Sequence, residues 1–573
     1  MINKELSEII KGDIQIDGDT LSAYSHDASV LEIRPEMVVF PKDSQDIQDL
    51  VQYVSKEKAN DPSLSLTVRS AGTCMSGGSI NDSIIMDVTR YMHEIFSVSP
   101  SEHEHARMLQ YHSEEVPFLG EGGYAVTQPG VYYRDFEKRT KEIDFVMPSY
   151  TASKDICAVG GMFGNNSGGE KTIKYGKCEN YILQTKTVFS DGKEYVVKPL
   201  TKSQLDAKIA QKDFEGDLYR EVFELIERNE EMIMEAEPNV TKNSAGYYLW
   251  NVWDKKRGIF DLNRLLVGSQ GTLGITTEIT WRLVREHHHE KMLVIFLDDL
   301  DNLGDLVTEI LKFNPDSVEA YDDESMKLAV KFFGDFFKSM GVWGALKLGV
   351  RFLPEAWMML KRGVPKLVVI AEFVGDDERN LNQKVHLLQD KIRHFGYQTR
   401  IPRTDADERK YWKIRHESFN LLRKHVKGMR TAPFIDDFIV NPEHLPEFLP
   451  RLQKLLGKYP NMIYTIAGHA GNGNFHIIPL MDLTKPENIP IIDELSDKVY
   501  DLVLEYKGSI TAEHNDGIIR TPYLEKMYGA GVCALFKRVK EIFDPQNIFN
   551  PRKKVGATKE YMMEHISTNN KHT

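Results

Sequence analysis

An α+β fold in more than one domain is predicted by three observations: the chain's length, two glycine-rich segments, and a change of pattern near residue 286. At 573 residues the chain exceeds what one hydrophobic core organises, so two or three domains are expected. The segments Arg69–Gly78 (RSAGTCMSGG) and 145–181 carry too little aliphatic bulk to build a core. They can bring backbone N–H groups close to a flat or anionic ligand, because glycine removes the side chain that would hold it away. From Met292 onward, strands LVIFLD, SVEAYD and KLVVIAEFVG alternate with helical patterns near 301–313 and 377–395. That order suits an antiparallel sheet with helices on one face. The expected divisions are an N-terminal extension (1–30), a first domain (31–285), a second domain (286–500) with an insert at 325–366, and a C-terminal segment (501–573) that returns to the first domain.

Met37 to Phe40 reads as a short apolar strand ending at Pro41. Asp43 or Ser44 can cap the next helix, whose Ile47, Leu50, Val51 and Val54 recur at helical spacing. Strand 64–68, the first glycine loop and strand 84–88 follow, so the loop opens at the end of a strand. No G-x-G-x-x-G stands there, which argues against a Rossmann nicotinamide site. Residues 124–130 form a strand and turn, and 132–142 a helix. Ser190-Asp-Gly-Lys193 turns a hairpin. Residues 217–235 read as an exposed helix, and Lys242–Tyr248 as a polar, aromatic loop open to either a ligand-contact or a surface-turn role. Glu286-His-His-His-Glu290 reads as a solvated linker, since adjacent residues on a regular element cannot face one ion together.

The net charge of −13 argues against a general nucleic-acid binder, which carries a basic footprint. Cys74, Cys157, Cys178 and Cys533 are scattered without a C-x-x-C pair, against a disulfide framework or an iron–sulfur or zinc cluster. The N-terminal residues lack the apolar run of a signal peptide, and no uncharged apolar run reaches the length of a spanning helix. A cytoplasmic location is expected. The insert 325–366 has eight basic residues against two acids, with seven aromatics. Lys327, Lys331 and Lys338 fall on one helical face, with Phe332, Phe333, Phe336 and Phe337 opposite. Three readings stay open: packing on the protein's own core, peripheral contact with the cytoplasmic face of a membrane, or a partner-binding surface.

Two late segments hold the reactive groups: Ile466–His476 (IAGHAGNGNFH) and Thr511–Gly517 (TAEHNDG). In an unbroken strand His469 and His476 would point to opposite faces. Gly471 and Gly473 allow a turn that lets the imidazoles converge, and Glu513 adds a carboxylate. Two histidines and one carboxylate suit a divalent cation that keeps positions open for substrate or water.

These motifs resemble known families. RSAGTCMSGG and AVGGMFGNNSGGEKTIKYG resemble the pyrophosphate loop and isoalloxazine-side segment of FAD domains in the vanillyl-alcohol oxidase family (PCMH type). LVGSQGTLGI (266–275) resembles that domain's third element, with Gln270 in place of the usual Glu. The resemblance implies a two-part FAD-binding domain beside an α+β substrate (cap) domain. It implies flavin contacts from Arg69, Ser70, Ala71, Gly72, Thr73, Ser76, Gly77 and Gly78, then Pro148, Gly160, Gly161, Asn165, Asn166, Gly168, Gly169, Tyr175 and Gly176, and lastly Gln270, Gly271, Ile275 and Asn550. The first loop has no histidine for a covalent link, so FAD should be non-covalent.

GHAGNGNFH and AEHNDG resemble signatures of FAD-linked 2-hydroxyacid dehydrogenases, the group of D-lactate and D-2-hydroxyglutarate dehydrogenases and the glycolate oxidase flavin subunit. Asn472, Asn515 and Asp516 depart from the pattern. The resemblance implies that His469, His476 and Glu513 bind a divalent metal (Zn, Mn or Fe), that His514 is the base, and that Arg415 clamps the substrate carboxylate, its alternative being a surface salt bridge. Flavin N5 would accept the hydride from C2. Where relatives bind a second carboxylate this chain has Phe419, Ile435 and Ile478, which favours a D-lactate-like monocarboxylate. Electrons would pass to a quinone or an electron-transfer protein. Two other classes stay open: a flavin-dependent transferase like the alkyl-glycerone-phosphate synthases, and a flavin subunit that docks an iron–sulfur partner.

Overall fold

The structure is a computed structural model that describes residues 2–106, 122–323, 325, 363–404, 407–415 and 428–568. Except for Ser325 and residues 363–366, the insert 325–366 lies outside the described residues, as does Phe419.

Three larger sheets organise the described residues, beside one small sheet of three strands and one of two. The first joins β1 (Asp13–Gln15), β2 (Met37–Phe40), β3 (Leu66–Arg69) and β4 (Ile84–Asp87) in the order β1-β2-β4-β3. β2 and β3 both run parallel to β4. The helix Ser44–Glu57 crosses over between β2 and β3. Its Asp43 side chain accepts from the Asp46 amide, and Ile47, Leu50, Val51 and Val54 are fully buried, as the spacing requires. β1 lies within the expected N-terminal extension, so part of that extension is built into this sheet.

The second sheet is antiparallel: β5 (Ile95–Ser99), β6 (Gly123–Thr127), β7 (Ile182–Val188), β8 (Glu194–Val197) and β9 (Ile275–Arg285), with β9 central between β6 and β7. The helical residues near 217–235 differ from expectation. They divide into Phe214–Arg228 and Glu230–Glu235, and Leu218, Tyr219, Val222, Leu225 and Ile226 are buried, so one face packs inward.

Only residues 286–288 separate β9 from β10 (His289–Leu297), so His289 belongs to a strand rather than a linker. The third sheet, antiparallel throughout, has seven strands. Its centre is β10, β11 (Ser317–Asp322) and β12 (Leu367–Gly375), followed by β13 (Ile466–His469) and β14 (Asn474–Ile477). Leu293, Ile295 and Leu297 face a core shared with helices Leu303–Leu311, Glu378–Lys391 and Leu445–Leu456. Met292, Val294 and Phe296 face the other way, with Tyr321, Tyr411 and Ile414. That second face also carries a helix, residues 407–415, and it is the face that meets the functional site.

Glu372 lies in mid-strand on β12, 3% exposed. Burial lifts its carboxyl to about 8; Lys171 opposes this, while Glu170, Glu290 and Asp316 add to it. The folded value lies above the ordinary 4.5, so unfolding releases a proton between about 4.5 and about 8. Stability is therefore highest below this window, declines as pH rises through it, and stays reduced above it. Glu372→Gln is expected to flatten that decline, measured as denaturant midpoint against pH beside the parent protein.

Candidate active site

A cavity of 740 Å³ runs between the first two sheets and the site face of the third. The three glycine segments line it through Arg69, Ser70, Ala71, Gly72, Thr73 and Gly78, through Gly160, Gly161, Asn165 and Gly168, and through Gln270 and Gly271. Glycine is required at several of these places, Gly271 (φ +68°) among them. Gly72 has φ +68°, and a Cβ on Gly160 would lie 2.6 Å from the Pro129 carbonyl oxygen. The volume and the backbone-lined wall fit a cofactor the size of FAD.

Nine other expected flavin contacts do not line the cavity. Ser76 is buried and donates to the His514 carbonyl. Gly77 (φ +78°) packs against Leu31. Pro148 is buried behind the wall. Asn166 (φ +49°) ends the helix Val159–Asn165 and bonds Glu179. Gly169 fits against the Tyr150 carbonyl, Gly176 turns with φ +69°, and the Tyr175 hydroxyl reaches Asp316 at 3.4 Å. Ile275 belongs to the core of the first sheet. Asn550 acts as a tie: its Nδ2 donates to the carbonyls of Gly78 (2.9 Å) and Gln270 (2.6 Å), and its Oδ1 accepts from Thr67 (3.0 Å). These residues shape the wall from behind.

At the far end of the cavity stand Arg415, His469, His476, Glu513 and His514. The two histidines converge because β13 and β14 form a tight hairpin in which Ala467 pairs with His476. His476 thus shares the face of Ala467, and His469 lies two residues farther along that face. Gly473 makes the turn possible with φ +74°; a Cβ there would sit 1.8 Å from the Val440 carbonyl oxygen. The imidazoles stand perpendicular with centroids 5.3 Å apart. Glu513 Oε2 is 3.4 Å from His469 Nε2 and 3.8 Å from His476 Nε2. One donor atom from each residue lies within 4.8 Å of the others. Two imidazole nitrogens and a carboxylate oxygen at this spacing fit a divalent cation with open positions.

A set of buried acids, not foreseen as site residues, orients these groups. Glu319 accepts from His469 Nδ1 at 2.5 Å. Asp436 takes His476 Nδ1 at 3.1 Å and His514 Nδ1 at 2.6 Å. Each of these rings therefore directs its Nε2 away from the acid. Asp437 (φ +69°) accepts from the Thr511 hydroxyl and from the amides of Glu513 and His514, all through Oδ2, which fixes the loop carrying both. Lys242, fully buried, pairs with Glu513 Oε1 at 2.5 Å and leaves Oε2 for the histidines. Burial disfavours the charged form of Glu513, yet Lys242 and His469 hold its carboxyl well below the usual range. Burial likewise works against a charged His514, but Asp436 and Asp437 prevail and lift it to about 9. The Asp436 carboxyl is pushed far down by His514 and His476, against its burial.

The departures from the family pattern have structural uses. Asn515 (φ +67°) donates to the carbonyls of Asn165 and Gly268, joining the reactive loop to two cofactor segments. Asp516 pairs with Lys554 at 2.9 Å, and Asn472 donates to Thr241. His26, Asp27, Ala28 and Ser29 also line the cavity, although they fall in the expected extension. Their signal was a run of small polar residues, SHDAS, behind a short helix. Glu319 and the Asp436-Asp437 pair were visible as acids inside apolar runs, SVEAYD and FIDDFIV. Such acids must be partnered.

Residues 35–198 match the FAD binding domain family, and residues 286–554 match the family described as FAD linked oxidases, C-terminal domain. Together these two matches mark the chain as similar to FAD-linked oxidases. It is 25% identical over 551 residues to a D-2-hydroxyglutarate dehydrogenase of Escherichia coli (strain K12), covering 94% of this chain and 50% of that protein. It is 23% identical over 565 residues to the glycolate oxidase subunit GlcD of Bacillus subtilis (strain 168), covering 96% and 97%. The chain thus spans about half the length of the first group of relatives. Among solved structures, p-cresol methylhydroxylase with bound substrate superposes with a TM-score of 0.64 at 14% identity, covering 96% of each chain. That likeness gives the FAD-linked oxidase fold in the PCMH-type arrangement.

Asn550 holds two cofactor segments together, so removing its side chain leaves two buried carbonyls without a donor, at a cost of about 1–3 kcal/mol each. Asn550→Ala is expected to lower FAD retention through gel filtration, read as bound flavin absorbance per protein.

Proposed function

We propose that this chain is the flavin-bearing part of a dehydrogenase that oxidises a D-2-hydroxyacid to the 2-oxoacid. The observation that carries this reading is the meeting of His469, His476 and Glu513 with His514 and Arg415 at one end of the cofactor cavity. When bound, FAD supplies the hydride acceptor, and a divalent cation held by His469, His476 and Glu513 supplies a Lewis acid for the substrate's oxygens. Arg415, held through Nε by Glu319 at 3.1 Å, turns the rest of its guanidinium to the substrate carboxylate. The neutral form of His514, populated as pH rises toward about 9, takes the hydroxyl proton at Nε2, and Asp436 at Nδ1 stabilises the imidazolium that forms.

Ile478 lines the cavity, in keeping with a monocarboxylate of apolar side chain, whereas Ile435 is buried in the core and has no part in that preference. A second reading, a dicarboxylate such as 2-hydroxyglutarate, is favoured by Arg430 and Thr431 in the cavity wall. The electron acceptor is a quinone or an electron-transfer protein. The basic, aromatic composition of 325–366 supports peripheral contact with an anionic membrane on the cytoplasmic side.

A panel of D- and L-2-hydroxyacids added to the anaerobic, FAD-loaded protein is expected to bleach the flavin with D-acids only, and chain length and charge will separate the mono- from the dicarboxylate reading. Glu513→Gln is expected to slow bleaching at least about 100-fold; a variant as fast as the parent sinks the cation reading. A transferase would leave the flavin oxidised throughout. Deleting 325–366 should reduce binding to anionic vesicles and quinone reduction while hydroxyacid bleaching persists; unchanged quinone reduction rejects the membrane reading.

A further inference from the structure

A single carboxylate stands behind two of the site's side chains. Glu319 lies at the middle of β11 and is 1% exposed. Both of its neighbours on that strand pair through the sheet, since Val318 faces Ala371 and Ala320 faces Val369. Its backbone is thus fixed in the most rigid part of the third sheet. Its two oxygens are divided: Oε1 accepts from His469 Nδ1 at 2.5 Å, and Oε2 from Arg415 Nε at 3.1 Å.

Each bond decides what its donor shows to the cavity. A histidine that donates from Nδ1 presents Nε2, here directed toward Glu513 Oε2 at 3.4 Å. An arginine held at Nε has that edge occupied, so a carboxylate must approach the terminal NH1 and NH2 pair. Arg415 sits on the helix 407–415 and His469 at the end of β13, and Glu319 is bonded to both. A neutral amide in its place can accept from one donor only by turning its own NH2 toward the other.

We infer that Glu319 is a positioning residue shared by the carboxylate clamp and the cation cage, aligning Arg415 for the substrate acid and His469 for the divalent cation at once. This deepens the cation reading given above and rests on it.

The test uses the FAD-loaded protein and two probes that need no turnover. Zinc affinity is measured by competition with a chromophoric chelator, and pyruvate affinity by perturbation of the flavin spectrum after zinc has been removed. Glu319→Gln is expected to weaken zinc at least about tenfold and pyruvate at least about fivefold. Arg415→Met should weaken pyruvate alone, and His469→Ala zinc alone. Glu319→Asp, whose shorter arm cannot span both donors, should move both constants in the same direction and guards against a variant that fails to fold. FAD content and thermal midpoint are recorded for each. If the Glu319 variants keep parental FAD content and shift only one constant, or neither, shared positioning is overturned. A parent that takes up no zinc rejects instead the cation reading on which it rests.

Discussion

Four carboxylates buried around one small volume govern the architecture of this protein. Asp436 and Asp437 are 0% exposed, Glu319 1% and Glu513 6%. An ionised carboxylate without a partner costs several kcal/mol in such surroundings, so every one of these acids must be met by a donor. Asp437 takes a hydroxyl and two amides, Asp436 two imidazoles, Glu319 an imidazole and a guanidinium, and Glu513 the Lys242 ammonium. Satisfying them draws strands from the third sheet, the loop at 511–516 and the loop at 242 to one place. The reactive side chains gain their orientation from the same bonds.

The cofactor wall is held by a related device built from amides rather than charges. Gln270, Asn515 and Asn550 each bind the backbone or side chains of other glycine segments: Gln270 reaches Asn165 and the Gly517 amide, and Asn515 reaches Asn165 and Gly268. All three have positive φ, a conformation that asparagine tolerates better than most residues. Glycine segments that keep their backbone open to a ligand need such ties, because they have few side chains with which to pack against each other.

The fold was largely legible because its elements follow simple periods. The capped helix after β2, the Asp-Gly hairpin between β7 and β8, and the alternation of Met292, Val294 and Phe296 with Leu293, Ile295 and Leu297 are all written in local spacing. The meeting of His469 and His476 could be anticipated from Gly471 and Gly473. The orienting shell could not be assigned from spacing, since tertiary packing brings Glu319 to His469 across 150 residues, Lys242 to Glu513 across 271 and Asp436 to His476 across 40. Motif resemblance marks the whole of each segment, whereas residues 160–165, 167 and 168 line the cavity and Tyr175, Gly176 and Ile275 lie outside its lining. The polar run at His26–Ser29 fell within the expected extension, although its backbone joins the first glycine loop through the Ala28 amide and the Cys74 carbonyl.

The bond from Thr67 to Asn550 spans 483 residues, and this separation constrains how the protein can be made. At ribosomal speeds of about 5–20 residues per second, roughly half a minute to a minute and a half passes between the emergence of the first loop and the arrival of its tie. During that interval the glycine wall has no clasp, and a dinucleotide entering it meets an incomplete shelter. Cofactor capture is thereby deferred until Asn550 has emerged, and a nascent chain truncated before it lacks the tie.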